Sequence, residues 1–303
     1  MSSLQTDTFR PDREGKIAVP GGQIWYGIAG QLDDGKPPLL VLHGGPGMNH
    51  GYLAPLSDLA DERAVIFYDQ LDAGASDWPN DPANWTVDRF LSEIDAVREA
   101  LHLNELALFG NSWGGTLAAA YGATKPDGLA GLVLSSPLIH TKNWIADNAA
   151  YREALPNDTK AILSTCEAEG RTDDPSYEEA VEVFYRRHLC RADPWPDYLQ
   201  TSLQNMNLAC YGAMWGPNEF TCTGVLAEYD GTEALAEIAV PTLFTCGAFD
   251  EATPESTRAF SKLVPGAVFE LFEGSSHMAF IEERDAYIAS LRNFLKSIET
   301  KGE

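Results

Sequence analysis

Leu106-Ala107-Leu108-Phe109-Gly110-Asn111-Ser112-Trp113-Gly114-Gly115-Thr116-Leu117 carries a short apolar run through Gly-x-Ser-x-Gly-Gly into Ala118-Ala119-Ala120-Tyr121. The apolar part reads as a buried strand and the small-residue part as the start of a helix, so Ser112 falls on a tight strand-to-helix turn. Such a turn lifts a serine hydroxyl above the edge of a sheet. Gly110 and Gly114 fit it because a side chain at either position would collide with the folded-back chain. Ser112 is therefore a candidate nucleophile; the bland alternative is a glycine-rich turn before a buried helix.

Upstream, residues 16–20 and 23–29 read as two strands joined at Gly21-Gly22, an antiparallel edge. Pro38-Leu39-Leu40-Val41-Leu42 and Ala64-Val65-Ile66-Phe67-Tyr68 are continuous apolar runs, as in strands buried on both faces. Thr86 is a plausible N-cap for a helix whose apolar positions are Val87, Phe90, Leu91, Ile94, Val97 and Leu101. Downstream, the helix after Ser112 should run to about residue 124 and Gly131–Ser135 should be the next strand. This alternation implies a mostly parallel sheet with helices on both faces. Across 138–236 the rhythm stops, and helical patterns at 176–191 and 198–214 read as an α-helical insertion. Strands resume at 240–245 and 267–272, and an amphipathic helix closes the chain, with 299–303 expected to fray. The expected division is a catalytic domain of 1–137 and 237–303 interrupted by a cap at 138–236.

The chain has 303 residues, 44% of them hydrophobic, enough for one large α/β domain with an insertion. A net charge of −24 argues against nucleic acid and anionic membrane surfaces as partners. Five scattered cysteines without paired spacing indicate neither a disulfide framework nor a zinc site. Residues 1–10 have no apolar secretory core and no run approaches ~20 apolar residues, so a cytoplasmic protein is expected.

A serine hydroxyl needs a base to take its proton, and the base needs an acid to orient it. In the α/β-hydrolase fold these partners follow in the order Ser, Asp or Glu, His. Asp250, in Gly247-Ala248-Phe249-Asp250-Glu251, and His277, in Gly274-Ser275-Ser276-His277, each follow a late strand, where open α/β sheets gather their sites. His43 lies in a different loop and reads as a structural hydrogen-bonder. Backbone N–H donors for the oxyanion are expected from Trp113, after the nucleophile, and from a glycine of His43-Gly44-Gly45-Pro46-Gly47, with Gly44 the first choice.

Together with the Asp69-Gln70 loop, these motifs resemble the proline iminopeptidase family of α/β-hydrolases, which includes the tricorn-interacting aminopeptidase and bacterial amino acid amidases. The resemblance spans roughly residues 15–298. It implies a serine exopeptidase or amidase that releases an N-terminal residue, often proline, from a short peptide or amino acid amide, without metal or cofactor. In the tricorn-interacting branch a glutamate in Gly-Pro-Asn-Glu-Phe and another after the catalytic aspartate hold the substrate's α-ammonium. Gly216-Pro217-Asn218-Glu219-Phe220 and Asp250-Glu251 match, so Glu219 and Glu251 take those roles. Asp72 departs from the family's usual glycine and is either a carboxylate near the pocket mouth or a surface turn in a left-handed conformation.

Trp195, Tyr198, Tyr211, Trp215 and Phe220 lie in the insertion. Tyr211, Trp215 and Phe220 are taken as candidate walls for a small apolar side chain. Two other readings stand beside the exopeptidase: an esterase or lactonase with the same triad, and a receptor that binds without turnover.

Overall fold

The computed structural model describes residues 9–32 and 35–299; the leaderless reading of residues 1–8 and the expected fraying of 300–303 lie outside them. Eight strands form one sheet: β1 (Arg13–Val19), β2 (Gly22–Ala29), β3 (Leu39–Leu42), β4 (Val65–Asp69), β5 (Leu106–Asn111), β6 (Leu129–Ser135), β7 (Thr242–Gly247) and β8 (Val268–Phe272). Their order is β1-β2-β4-β3-β5-β6-β7-β8. β1 and β2 pair antiparallel, as do β2 and β4, and every later pair is parallel. The first hairpin turns at Gly21, whose φ of +94° is open to glycine at little cost.

Alternation along the strands sorts the core into two layers. Leu39, Val41, Val65, Phe67, Ala107, Phe109, Val133 and Leu243 join one apolar cluster, and Leu40, Leu42, Ile66, Leu106, Leu108, Leu132, Leu134 and Phe244 join the other. Helices α1 (Val87–Ala100) and α2 (Trp113–Ala123) contribute Ile94, Val97, Ala118 and Tyr121 to the second layer. The Thr86 hydroxyl caps α1 by accepting from Arg89 N at 3.3 Å.

Between β6 and β7 every named element is a helix: α3 (Thr141–Glu153), α4 (Asn157–Ala168), α5 (Pro175–His188), α6 (Asp197–Gln204), α7 (Leu208–Met214) and α8 (Thr232–Leu235). The helix expected over 198–214 is two helices. Asn207 breaks it, because its side chain accepts from Ala209 N and Cys210 N and so starts a new N-terminus. After β7 come α9 (Pro254–Ser261), α10 (Ala279–Glu282) and α11 (Arg284–Glu299). Tyr287, Leu291 and Leu295 of α11 seal the first layer. β7 starts two residues later than expected, since Pro241 has no N–H for the ladder. Among the described residues no helix is long and apolar enough to cross a membrane.

The turn from β5 to α2 leaves no room for a side chain at either of its outer glycines. A Cβ on Gly110 would run into the Gly114 carbonyl, and one on Gly114 into the Leu42 carbonyl, both fixed backbone. Gly114→Ala should therefore destabilise the protein by about 1–3 kcal/mol or more, as overpacking does where neighbours cannot yield. Gly212→Ala is the contrast, because on α7 an added Cβ meets nothing within 4 Å. That variant should gain about 0.5–1 kcal/mol from helix propensity. Urea midpoints measure both, and a Gly114→Ala variant as stable as the parent would contradict the crowding.

Candidate active site

Ser112 sits between β5 and α2 at φ +56° and ψ −119°, a strained conformation for a residue with a side chain. Its surroundings fix it there. Its N–H donates to Ser135 O at 3.0 Å, and its carbonyl accepts from Gly115, Thr116 and Leu138 N at 2.9, 3.2 and 3.2 Å.

β7 and β8 end side by side, which brings Asp250 and His277 together across 27 residues of sequence. His277 Nδ1 and Asp250 Oδ1 are 2.8 Å apart in a buried setting. The carboxylate can only accept, so the proton is on Nδ1 and Nε2 is left with a free lone pair. Glu282 braces this turn from behind, accepting from the Ser276 N–H at 2.9 Å and from its hydroxyl. The edge of Trp144 meets the His277 ring at 5.8 Å and 90°. The His188 carbonyl accepts from both Glu251 N and His277 N, so one peptide group sets two residues of the site.

The loop after β3 is held by hydrogen bonds to the loop after β4. Gln70 N donates to His43 Nε2 at 3.0 Å, and His43 Nδ1 then donates to the Gly44 carbonyl at 2.8 Å. Burial pushes the His43 pKa down, which suits this neutral tautomer. Gln70 also donates to His43 O and accepts from the Trp113 indole at 2.9 Å. Gly44 is not available as expected. Its N–H donates to Tyr52 Oη at 2.8 Å, and the Tyr52 hydroxyl donates in turn to Asn111 Oδ1 at 2.8 Å. The next amide, Gly45, also lies at the cavity wall, and among the described residues it has no hydrogen-bond partner. Trp113 N is in the first turn of α2, where N–H groups lack intrahelical acceptors.

Glu219 and Glu251 face the same cavity as Ser112 and His277. Glu219 accepts the Tyr211 hydroxyl at 2.7 Å. Glu251 is fully buried, and among the described residues neither of its oxygens has a hydrogen-bond partner; His277 Nε2 lies 3.7 Å from Oε1. Burial, then repulsion from Glu219 and Asp250, holds the Glu251 pKa well above the usual carboxylate range. Desolvation raises that of Glu219 as well, partly offset by the Tyr211 hydrogen bond. Among the described residues no group of three or more His, Cys, Asp or Glu is placed to hold a metal ion.

The cavity encloses about 220 Å³, and Tyr185, Leu189, Leu203, Met206, Tyr211 and Pro217 help to wall it. Of the three expected aromatics only Tyr211 lines it. Trp215 instead packs edge-on to Trp144 with its indole donating to Asn218 O, and Phe220 packs on Phe184 beneath the Arg152 guanidinium. Both fill the interior of the helical segment. Trp195 is likewise occupied, under Arg186. Tyr185, Met206 and Tyr52 carry no local signal in the sequence; only folding brings them to this wall. Asp72 does adopt a left-handed conformation, φ +66°, yet it is neither at the pocket mouth nor on the surface. It is buried and accepts from Asn80 N and the Trp85 indole, while its carbonyl accepts from the Asn207 side chain. A wider cleft of about 600 Å³, lined by Gly30, Pro37, Leu101 and Glu105, brings together no nucleophile and base.

A family model described as alpha/beta hydrolase fold matches residues 37–284. The proline iminopeptidase of Heyndrickxia coagulans is 43% identical over 286 residues, covering 94% of this chain and 99% of that protein. The crystal structure of a proline iminopeptidase from Mycobacterium smegmatis superposes with a TM-score of 0.90 at 33% identity, over 96% of this chain and all of that one. The crystal structure of VinJ gives 0.93 at 36% identity, over 95% and 100%. With whole-length relatives at this identity, the chain belongs to the proline iminopeptidase family of α/β-hydrolases and is a serine hydrolase of the aminopeptidase type.

Proposed function

We propose that this enzyme releases a single N-terminal residue, proline or another small apolar amino acid, from a short peptide or amino acid amide. The observation that carries this reading is Glu251. A fully buried carboxylate with both oxygens unpartnered, beside a second carboxylate in the same cavity, is a costly arrangement unless a cation joins it. A substrate α-ammonium supplies that cation and, in doing so, lays the adjoining carbonyl near Ser112. A cavity of about 220 Å³ suits one residue rather than a chain, which favours an exopeptidase.

Ser112 Oγ attacks the carbonyl carbon while His277 Nε2 takes its proton, and Asp250 stabilises the resulting imidazolium. The oxyanion accepts from Trp113 N and Gly45 N, the latter in place of Gly44. Collapse breaks the C–N bond, and His277 returns the proton to the leaving amine. Water, deprotonated by His277, then cleaves the acyl-enzyme and restores Ser112. In this scheme 1–137 with 237–303 is the catalytic unit, 138–236 the cap that provides Glu219, and the setting cytoplasmic. A neutral ester or lactone would leave the two glutamates without a role.

Ser112→Ala should keep the fold and lose turnover by several orders of magnitude, since the remaining machinery supplies only ~10³–10⁴-fold over water. Fluorophosphonate labelling should require Ser112; rapid turnover by the alanine variant would refute the assignment. Glu219→Gln and Glu251→Gln should each lower kcat/KM for free-amine substrates roughly ten- to hundredfold, the usual loss with one charged hydrogen bond. Both should spare a small neutral ester, and N-acetylated substrates should be inert. If acetylated and free amines are cleaved alike, the aminopeptidase reading fails.

The raised carboxyl pKa values also fix the direction of a pH effect. A raised pKa disfavours the charged form, so the ammonium site is intact above it and is lost as pH falls through it. The acid limb of kcat/KM for a free-amine substrate should therefore carry an additional ionisation and fall more steeply than that for a neutral ester. Coincident limbs for the two substrates would count against the ammonium site.

A further inference from the structure

Ser136 follows β6 and is not used by the chemistry above. It is 1% exposed and held at φ +49°, a left-handed conformation that favours glycine. Its N–H donates to Thr245 O at 2.8 Å, which ties the residue to β7. Its hydroxyl lies 2.5 Å from Asp250 Oδ2 and 3.3 Å from the His277 carbonyl. One hydroxyl proton serves one strong acceptor, and the nearer is Asp250.

The two oxygens of Asp250 are thus divided. Oδ1 meets His277 Nδ1 and Ala252 N, each at 2.8 Å, and Oδ2 meets the Ser136 hydroxyl and, at 3.3 Å, Gly247 N. A carboxylate turns easily about its last torsion, and a donor fixed on one oxygen holds the other toward its partner. On backbone grounds alone glycine would suit position 136 better, and among the described residues the only other group within reach of the serine hydroxyl is the His277 carbonyl. From this we infer that Ser136 is a positioning residue that locks Asp250 with Oδ1 facing His277. The inference rests on the proposed Ser112–His277–Asp250 reading.

Ser136→Gly separates this role from a structural one because its two effects run in opposite directions. It relieves the left-handed strain, which offsets part of the stability lost with the hydrogen bond, and it deletes the hydroxyl. We expect kcat to fall roughly ten- to hundredfold with KM changed less than about twofold, the size of effect seen when a hydrogen bond to a charged group is lost. Ser136→Ala keeps the strain and should be less stable than Ser136→Gly while losing kcat to the same extent. The pH readout is independent of folding. Removing a donor leaves more negative charge on Asp250, which holds the second proton on His277 more tightly, so the acid limb of a neutral-ester profile should move to higher pH. A stable Ser136→Gly enzyme with parental kcat and an unmoved limb would overturn the inference. Asp250→Asn distinguishes the two failures: parental turnover there would remove the triad reading itself, whereas its collapse beside a fully active Ser136→Gly would remove only the role of Ser136.

Discussion

The close approach of backbone to backbone at the β5–α2 turn is the constraint on which the rest of the site depends. Gly110, Gly114 and the Leu42 carbonyl leave no volume for a side chain, so the chain reverses within one residue and that residue is Ser112. The strain at Ser112 is sustained because the flanking strand and helix, each buried in the core, fix both ends of the turn. His277, Glu219 and Glu251 line the same cavity as this serine. The His43 loop follows β3, next to β5 on one side, and the His277 turn follows β8, at the sheet edge on the other side.

Electrostatically the site concentrates a property of the whole molecule. The chain carries a net charge of −24, most of it on a solvated surface where each charge costs little. Glu251 and Glu219 are different, because both face one cavity, Glu251 is buried there with no hydrogen-bond partner among the described residues, and Glu219 raises its proton affinity. Such a pair destabilises the empty protein and gains most from a ligand that brings positive charge. In the proposed reading, binding energy collected at a substrate ammonium would be available to orient the carbonyl a few bonds away.

Second-layer residues give the catalytic groups their single geometry. Gln70 makes three of its hydrogen bonds to His43 and Trp113, Tyr52 joins Gly44 to Asn111, and Glu282 braces Ser276. Each link connects a loop to a different part of the fold. Loosening one would therefore alter orientation at the reacting carbon without removing any group that touches it.

The sequence by itself determined the fold class, the strand order of the chemistry and the identity of Ser112, Asp250, His277, Glu219 and Glu251 as candidates. Ser112, Asp250 and His277 are readable because period and position encode them locally, as an apolar strand, a glycine-defined turn and a polar residue at the strand's end, whereas Glu219 and Glu251 come from the family resemblance of their motifs. Tertiary structure alone decided which amide of the glycine loop is occupied, since Gly44 meets a tyrosine eight residues on and Gly45 has no partner among the described residues. It also turned Trp215 and Phe220 inward, buried Asp72 as a tie between loop and helices, and brought Ser136 to Asp250 across 114 residues. An aromatic or a hydroxyl has the same local pattern whether it faces a cavity or a core. Only the packing of distant segments settles which surface it meets.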